Sequence, residues 1–138
     1  MAQEYFFWLA LSLVPGVGSI LMKRLLDDFK TPEAVFKASK KDLLSVEGLG
    51  EKVALEILEG PLDKRVKREL SLLEKAEGRL LAITDEDYPK RLREIYDPPP
   101  LLYMRGDLKK GDALAVAMVG SRRTNPYGRM MTEKISQE

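Results

Sequence analysis

The chain has 138 residues, 44% hydrophobic and 33% charged, the balance of a globular protein with room for one domain or two small ones, and its many Lys and Glu residues fit a heat-tolerant source. It contains neither cysteine nor histidine, which excludes disulfides, thiolate or imidazole metal sites, and Ser-His or Cys-His catalysis. The net charge of +1 hides −2 over residues 1–60 (7 basic against 9 acidic) and +3 over the rest (16 against 13), so nucleic-acid binding must come from a local site rather than from bulk charge.

In chain order, the first element is an apolar helix over residues 4–13. It lies in "YFFWLALSLV" (residues 5–14), the longest apolar run, which is too short to cross a bilayer and lacks the basic residue that precedes a signal-peptide core. A cytosolic protein without a membrane segment is expected. A helix over 19–29 follows, then a short one that Thr31-Pro32 opens as N-cap and first helical residue. Further helices are expected near 40–44, over 51–59 and over 62–77, with breaks at Gly60-Pro61 and at Gly78. Beyond Gly78 the signals alternate. "RLLAI" (79–83) and "LLYMR" (101–105) read as short strands flanking a small helix near 88–95, and Pro98-Pro99-Pro100 is a stiff approach to the second strand. "ALAVAMVG" (113–120) reads as a fully buried strand, and Asn125-Pro126 opens a last helix that runs to Glu138.

The helical half contains an echo of itself. "LVPGVGSILMKRLL" (13–26) and "SVEGLGEKVALEIL" (45–58) align with the pairs Gly16/Gly18 and Gly48/Gly50 displaced by 32 residues. This is the pattern of a doubled helix-hairpin-helix: glycine permits φ > 0 in the turn and exposes backbone N–H groups at the next helix start, where a phosphate can sit. Lys23 and Arg24, or Lys52, could add charge to such a contact. The same turns would also serve simply to pack two helices closely. Leu21, Leu25, Leu26, Val53, Leu55 and Leu58 are expected in the core.

The second motif is "VAMVGSRRTNPYG" (116–128). A buried strand running through Gly120, Ser121 and Arg122 to a helix start gathers N–H groups, a hydroxyl and a guanidinium around one point, which suits a phosphate. Gly120 lets the backbone turn, Asn125 can cap, and Pro126 suits the first helical turn. Arg123 would take a second phosphate or point into solvent, and Tyr127 would stack on a base or pack on the sheet. Gly128 closes the motif.

The succession "WLALSLVPGVG", "TPEAVFKASKKDLLSVEGLGEKVA", "ITDEDYPKRLREIYDPPPLLYMRGDL", "AVAMVGSRRTNPYG" resembles the N-terminal part of the DprA/Smf family of DNA-processing proteins, over nearly the whole chain. The resemblance implies an α+β or α/β chain. Residues 1–77 would be an all-helical SAM-like, doubled helix-hairpin-helix domain with its linking helix. Residues 78–138 would be the start of a Rossmann-like parallel-sheet domain that continues beyond this chain. It further implies a non-enzymatic protein that binds single-stranded DNA, assists loading of the RecA recombinase in natural transformation and recombination, and needs no cofactor. A sheet cut after one βα unit would leave an open edge near Val116–Val119, and self-association is expected from it.

Two other classes stay open. A nucleotide-using enzyme on a Rossmann-like fold is one, though neither G-x-x-x-x-G-K-[ST] nor G-x-G-x-x-G occurs and no acid/base pair stands out. Asp85, Glu86 and Asp87 could hold Mg²⁺ but read more readily as a solvated turn. The other is a helical protein-interaction module docking through Phe6, Phe7 and Trp8, residues that more often belong to a core.

Overall fold

The computed structural model describes residues 5–109, 111–112, 118–120 and 123–137. The chain divides into two compact units, residues 1–107 and 108–138. In the first, α1 (Phe6–Ser12), α2 (Ser19–Phe29), α3 (Pro32–Lys37), α4 (Lys40–Ser45), α5 (Glu51–Leu58) and α6 (Asp63–Lys75) precede β1 (Gly78–Ala82), α7 (Lys90–Arg93) and β2 (Leu101–Arg105). In the second, α8 spans Pro126–Gln137. The chain is mostly helical with a small sheet, an α+β arrangement.

Local chemistry sets the helix starts. Thr31 Oγ1 accepts from Ala34 N–H at 3.2 Å with Pro32 in the first helical position, and Ser39 Oγ accepts from Asp42 N–H at 3.2 Å to open α4. Both satisfy an N–H that the helix itself leaves without a partner.

The 32-residue echo is a structural repeat. Leu11, Val14, Val17, Met22 and Leu25 of the first hairpin, and Leu43, Val46, Leu49, Ala54 and Ile57 at the same offset in the second, all enter one core with Leu21 and Val35. The turn hydrogen bonds repeat too: Val17 N–H donates to Val14 O at 3.0 Å, and Leu49 N–H to Val46 O at 3.1 Å. Each fully buried leucine of this core contributes roughly 1.5–3 kcal/mol. Leu21 and Leu25 are buried and Leu26 and Val53 partly so, as expected. Leu55 and Leu58 are not core residues. They are 48% and 40% exposed: α5 turns Ala54 and Ile57 inward, which puts Leu55 on the outer arc, while Leu58 is the last residue of the helix, at the edge of the buried arc.

A second cluster joins Leu9 and Ala10 of α1 to Val66 of α6 and Leu80 of β1. Helix α1 thus lies between two cores, with Leu11 in one and Leu9 in the other, which is why its sequence is apolar all round. Phe6 and Trp8 are half-buried against these cores, and Phe7 packs its ring 6.1 Å from that of Phe36. The aromatic run is therefore built into the unit rather than displayed as a docking stripe.

β1 and β2 pair antiparallel, with Leu80 opposite Tyr103 and Ala82 opposite Leu101. The small helix near 88–95 is limited to Lys90–Arg93. Of the strand expected over 113–120, residues 113–117 lie outside the described residues, and 118–120 have no regular secondary structure.

Candidate nucleic-acid interface

The two glycines of each hairpin have different roles. Gly16 and Gly48 have φ of +90° and +84°, the left-handed region that an L side chain resists. Each also abuts the other hairpin: a Cβ on Gly16 would stand 2.8 Å from Val53 Cγ2, and one on Gly48 2.7 Å from Arg24 Nη1. Gly18 and Gly50 are the N-caps of α2 and α5, in extended conformation and with no side-chain cap. Nothing beyond the flanking chain comes within 4 Å of a Cβ at either position. The first-turn N–H groups of α2 and α5 therefore stand at open backbone that an external acceptor could approach.

Lys23 and Lys52 are exposed. Arg24 has a different job, since its Nη1 donates to Glu47 O at 2.7 Å and its Nη2 lies 3.5 Å from the Glu47 carboxylate. It ties α2 to the second turn. At the mouth of that turn Glu51 is held by Lys40 at 2.6 Å. The hydrogen bond and charge of Lys40 keep its carboxyl below the usual value, so an anion approaching α5 meets a neutralised pair.

In the second unit, Ser121 and Arg122 lie outside the described residues. Asn125 caps α8 as its sequence suggests: its Oδ1 accepts from Gly128 N–H at 2.7 Å, and its carbonyl accepts from Arg129 N–H at 3.1 Å. A Cβ on Gly128 would stand 2.6 Å from Thr124 Oγ1 and 3.2 Å from Asn125 Oδ1, so this glycine makes room for the cap. Gly120 has open space around it, and Arg123 is exposed. Tyr127 is 65% exposed, which leaves its ring face accessible.

Within the acidic stretch Asp85-Glu86-Asp87, Asp85 is a brace. Asp85 Oδ2 accepts from Ala82 N–H at 2.7 Å and from the Tyr5 hydroxyl at 2.6 Å, while Arg93 donates to Asp85 O at 2.7 Å. Among the described residues no group of three or more acids could hold a metal ion. Tyr88, fully buried, donates its hydroxyl to Pro99 O at 2.7 Å, with the Arg93 guanidinium 5.5 Å from its ring centroid. Burial pushes the Tyr88 phenol above its ordinary value, against the opposing pull of Arg93. Sequence reasoning missed the roles of Arg24, Tyr88 and Gly128. Arg24 acts across a gap of 23 residues, which no local pattern reports. For Tyr88 too no local pattern reports the role, since Pro99 lies 11 residues on; for Gly128 the signal was a glycine three residues past a cap.

Among known families, residues 79–138 match that of the DNA recombination-mediator protein A, and residues 9–60 match the SAM-like helix-hairpin-helix tandem. The chain is 37% identical over 139 residues to Protein Smf of Synechocystis sp., covering 98% of this chain and 35% of that protein. It is 43% identical over 56 residues to the DNA processing protein DprA of Streptococcus pneumoniae, and 34% over 61 residues to that of Bacillus subtilis, covering 41% and 42% of this chain and 20% of each relative. It thus spans about a third of the length of the Smf relative. No solved structure matches it. Among the described residues no helix is long and apolar enough to cross a membrane. A match to Smf along almost the whole chain, a helix-hairpin-helix tandem that the fold repeats residue by residue, and a recombination-mediator match from residue 79 onward agree: the chain belongs to the DprA/Smf family.

Proposed function

We propose that this chain belongs to a cytoplasmic, non-enzymatic protein that processes DNA in transformation and recombination, binding single-stranded DNA through its "GSRRTNPYG" loop and assisting the loading of RecA. Residues 1–77 act as the helical domain and residues from 78 as the start of the Rossmann-like one. The observation that carries this reading is the match to Smf along almost the whole chain. It is supported by the capped α8 start, which follows a Gly-Ser-Arg-Arg run with Tyr127 exposed beside it.

Bonds from Gly120, Ser121, Arg122 and Arg123 to phosphates carry charge and little base information, so binding is tolerant of sequence and weakens with salt. Arg122→Ala is expected to lower affinity for fluorescent oligo-dT by about 1–3 kcal/mol and to make the salt slope shallower by about 0.7 for each phosphate no longer neutralised. An unchanged affinity and slope in a protein still folded by circular dichroism would remove the loop from the interface.

The open N-caps Gly18 and Gly50 favour a second site of attachment, from the hairpins to duplex DNA. Lys23→Glu with Lys52→Glu is expected to weaken duplex binding, measured by anisotropy, without loss of fold, because both side chains are exposed. Arg24→Glu is a poorer probe, since it also breaks the tie to Glu47. Retention of duplex affinity by the Lys23/Lys52 variant would leave the hairpins a packing role only.

A further inference from the structure

Helix α6 anchors itself by one face, with Val66 fully buried and Leu70 and Leu73 packed on the second core. The opposite arc carries Lys64, Arg65, Lys67 and Arg68, all exposed. At about 100° per residue these four side chains spread around the direction opposite Val66, as neighbours at spacings of three and four. None of the ion pairs or side-chain hydrogen bonds among the described residues involves any of them. Some other exposed cations of the same unit have carboxylate partners, as Lys37 has Glu33 and Lys40 has Glu51.

The local electrostatics of this arrangement are unfavourable in two ways. The four cations repel one another across adjacent turns. They also crowd the N-terminal half of α6, where the helix dipole is positive and favours acids, with Asp63 the only acid in the first turn. A local rule broken at an exposed surface, with no ion-pair partner among the described residues, marks a place where a ligand supplies the compensation. The missing charge is negative, extended and in need of no shaped pocket, which describes a nucleic-acid backbone. A membrane surface fits less well, because the apolar face that an interfacial helix would insert is already in the core.

We propose that the outward face of α6 is a further phosphate-binding surface, which holds a DNA backbone through Lys64, Arg65, Lys67 and Arg68 independently of the "GSRRTNPYG" loop and of the hairpin glycines. It rests on the reading that this protein handles DNA.

The test neutralises all four residues to Gln in the 138-residue chain and measures binding to oligo-dT and to a duplex of equal length across a salt series. A second variant, Arg65→Lys with Arg68→Lys, keeps the charge. The Gln variant is expected to bind about tenfold or more weakly at low salt, and its salt slope to be shallower by about 0.7 per released phosphate on oligo-dT or about 0.9 on duplex. The Lys variant is expected to retain most of the binding. The DNA form whose affinity falls identifies which backbone lies on α6. If Arg122→Ala or the Lys23/Lys52 reversal weakens binding while the Gln variant matches the unmodified chain, the α6 proposal is overturned and the reading above stands. If only the Gln variant weakens it, α6 holds and the loop and hairpin sites fail. An unmodified chain that binds neither DNA overturns both.

Discussion

Gly16→Ala is expected to destabilise the first unit by about 2–5 kcal/mol, the sum of about 1–2 kcal/mol for a left-handed L residue and about 1–3 kcal/mol for overpacking. The overpacking arises because the new Cβ would sit 2.8 Å from Val53 Cγ2, and valine is stiff at χ1, so α5 must shift rather than one rotamer. Gly48→Ala is expected to cost less, about 1–3 kcal/mol, since the atom in its way is the tip of Arg24. That guanidinium can swing out at the expense of its bond to Glu47. The controls are Gly18→Ala and Gly50→Ala, where space is open and φ is ordinary; they are expected to cost no more than about 1 kcal/mol as weaker N-caps. Urea unfolding followed by far-UV circular dichroism orders the four. If Gly16→Ala were no worse than Gly18→Ala, the reciprocal packing of the two hairpins would be wrong.

Tyr88→Ala is expected to cost about 3–5 kcal/mol, the range for removing a fully buried aromatic ring. Tyr88→Phe keeps the ring and loses only the hydroxyl bond to Pro99 O, so about 0.5–1.5 kcal/mol is expected. The gap between the two variants measures how much of the Pro98–Pro100 approach depends on ring packing rather than on that bond. The phenol also has an alkaline signature. Its pKa is raised above the ordinary 10.0, first by burial, so its contribution is full below pH 10 and is lost as pH rises through the higher folded value. Tyr88→Phe is expected to remove that part of the decline in unfolding experiments carried upward from about pH 10. Equal stability losses in the Ala and Phe variants would mean that the ring is not the brace.

Much of this was legible in the chain itself, because it depends on neighbours in sequence. The caps at Thr31, Ser39 and Asn125 use side chains within three residues of the N–H groups that they satisfy, and the doubled hairpin announces itself by glycines 32 residues apart. The repeat even held the correction for α5. Position 55 is the equivalent of Lys23, an exposed charge, and positions 54 and 57 are the equivalents of Met22 and Leu25, both buried. Taken alone, Val53, Ala54, Leu55, Ile57 and Leu58 spread over too wide an arc to fix which side faces inward.

What only the tertiary structure decided is what each polar or glycine residue does once distant elements meet. The four hairpin glycines look alike in sequence, yet two are pressed against the opposite hairpin and two are open, a difference set by packing across more than 20 residues. Arg24 reads as a free cation and is a tie; Asp85 reads as a metal ligand or a solvated turn and braces the end of β1. Helix α6 shows the converse. Its basic run is plain in the sequence, but only burial of Val66, and the absence of partners for the four cations among the described residues, makes it a surface with a charge still to be met. Local chemistry fixes caps and turns because both partners arrive together. Packing assigns the remaining roles, because the second partner comes from elsewhere in the chain.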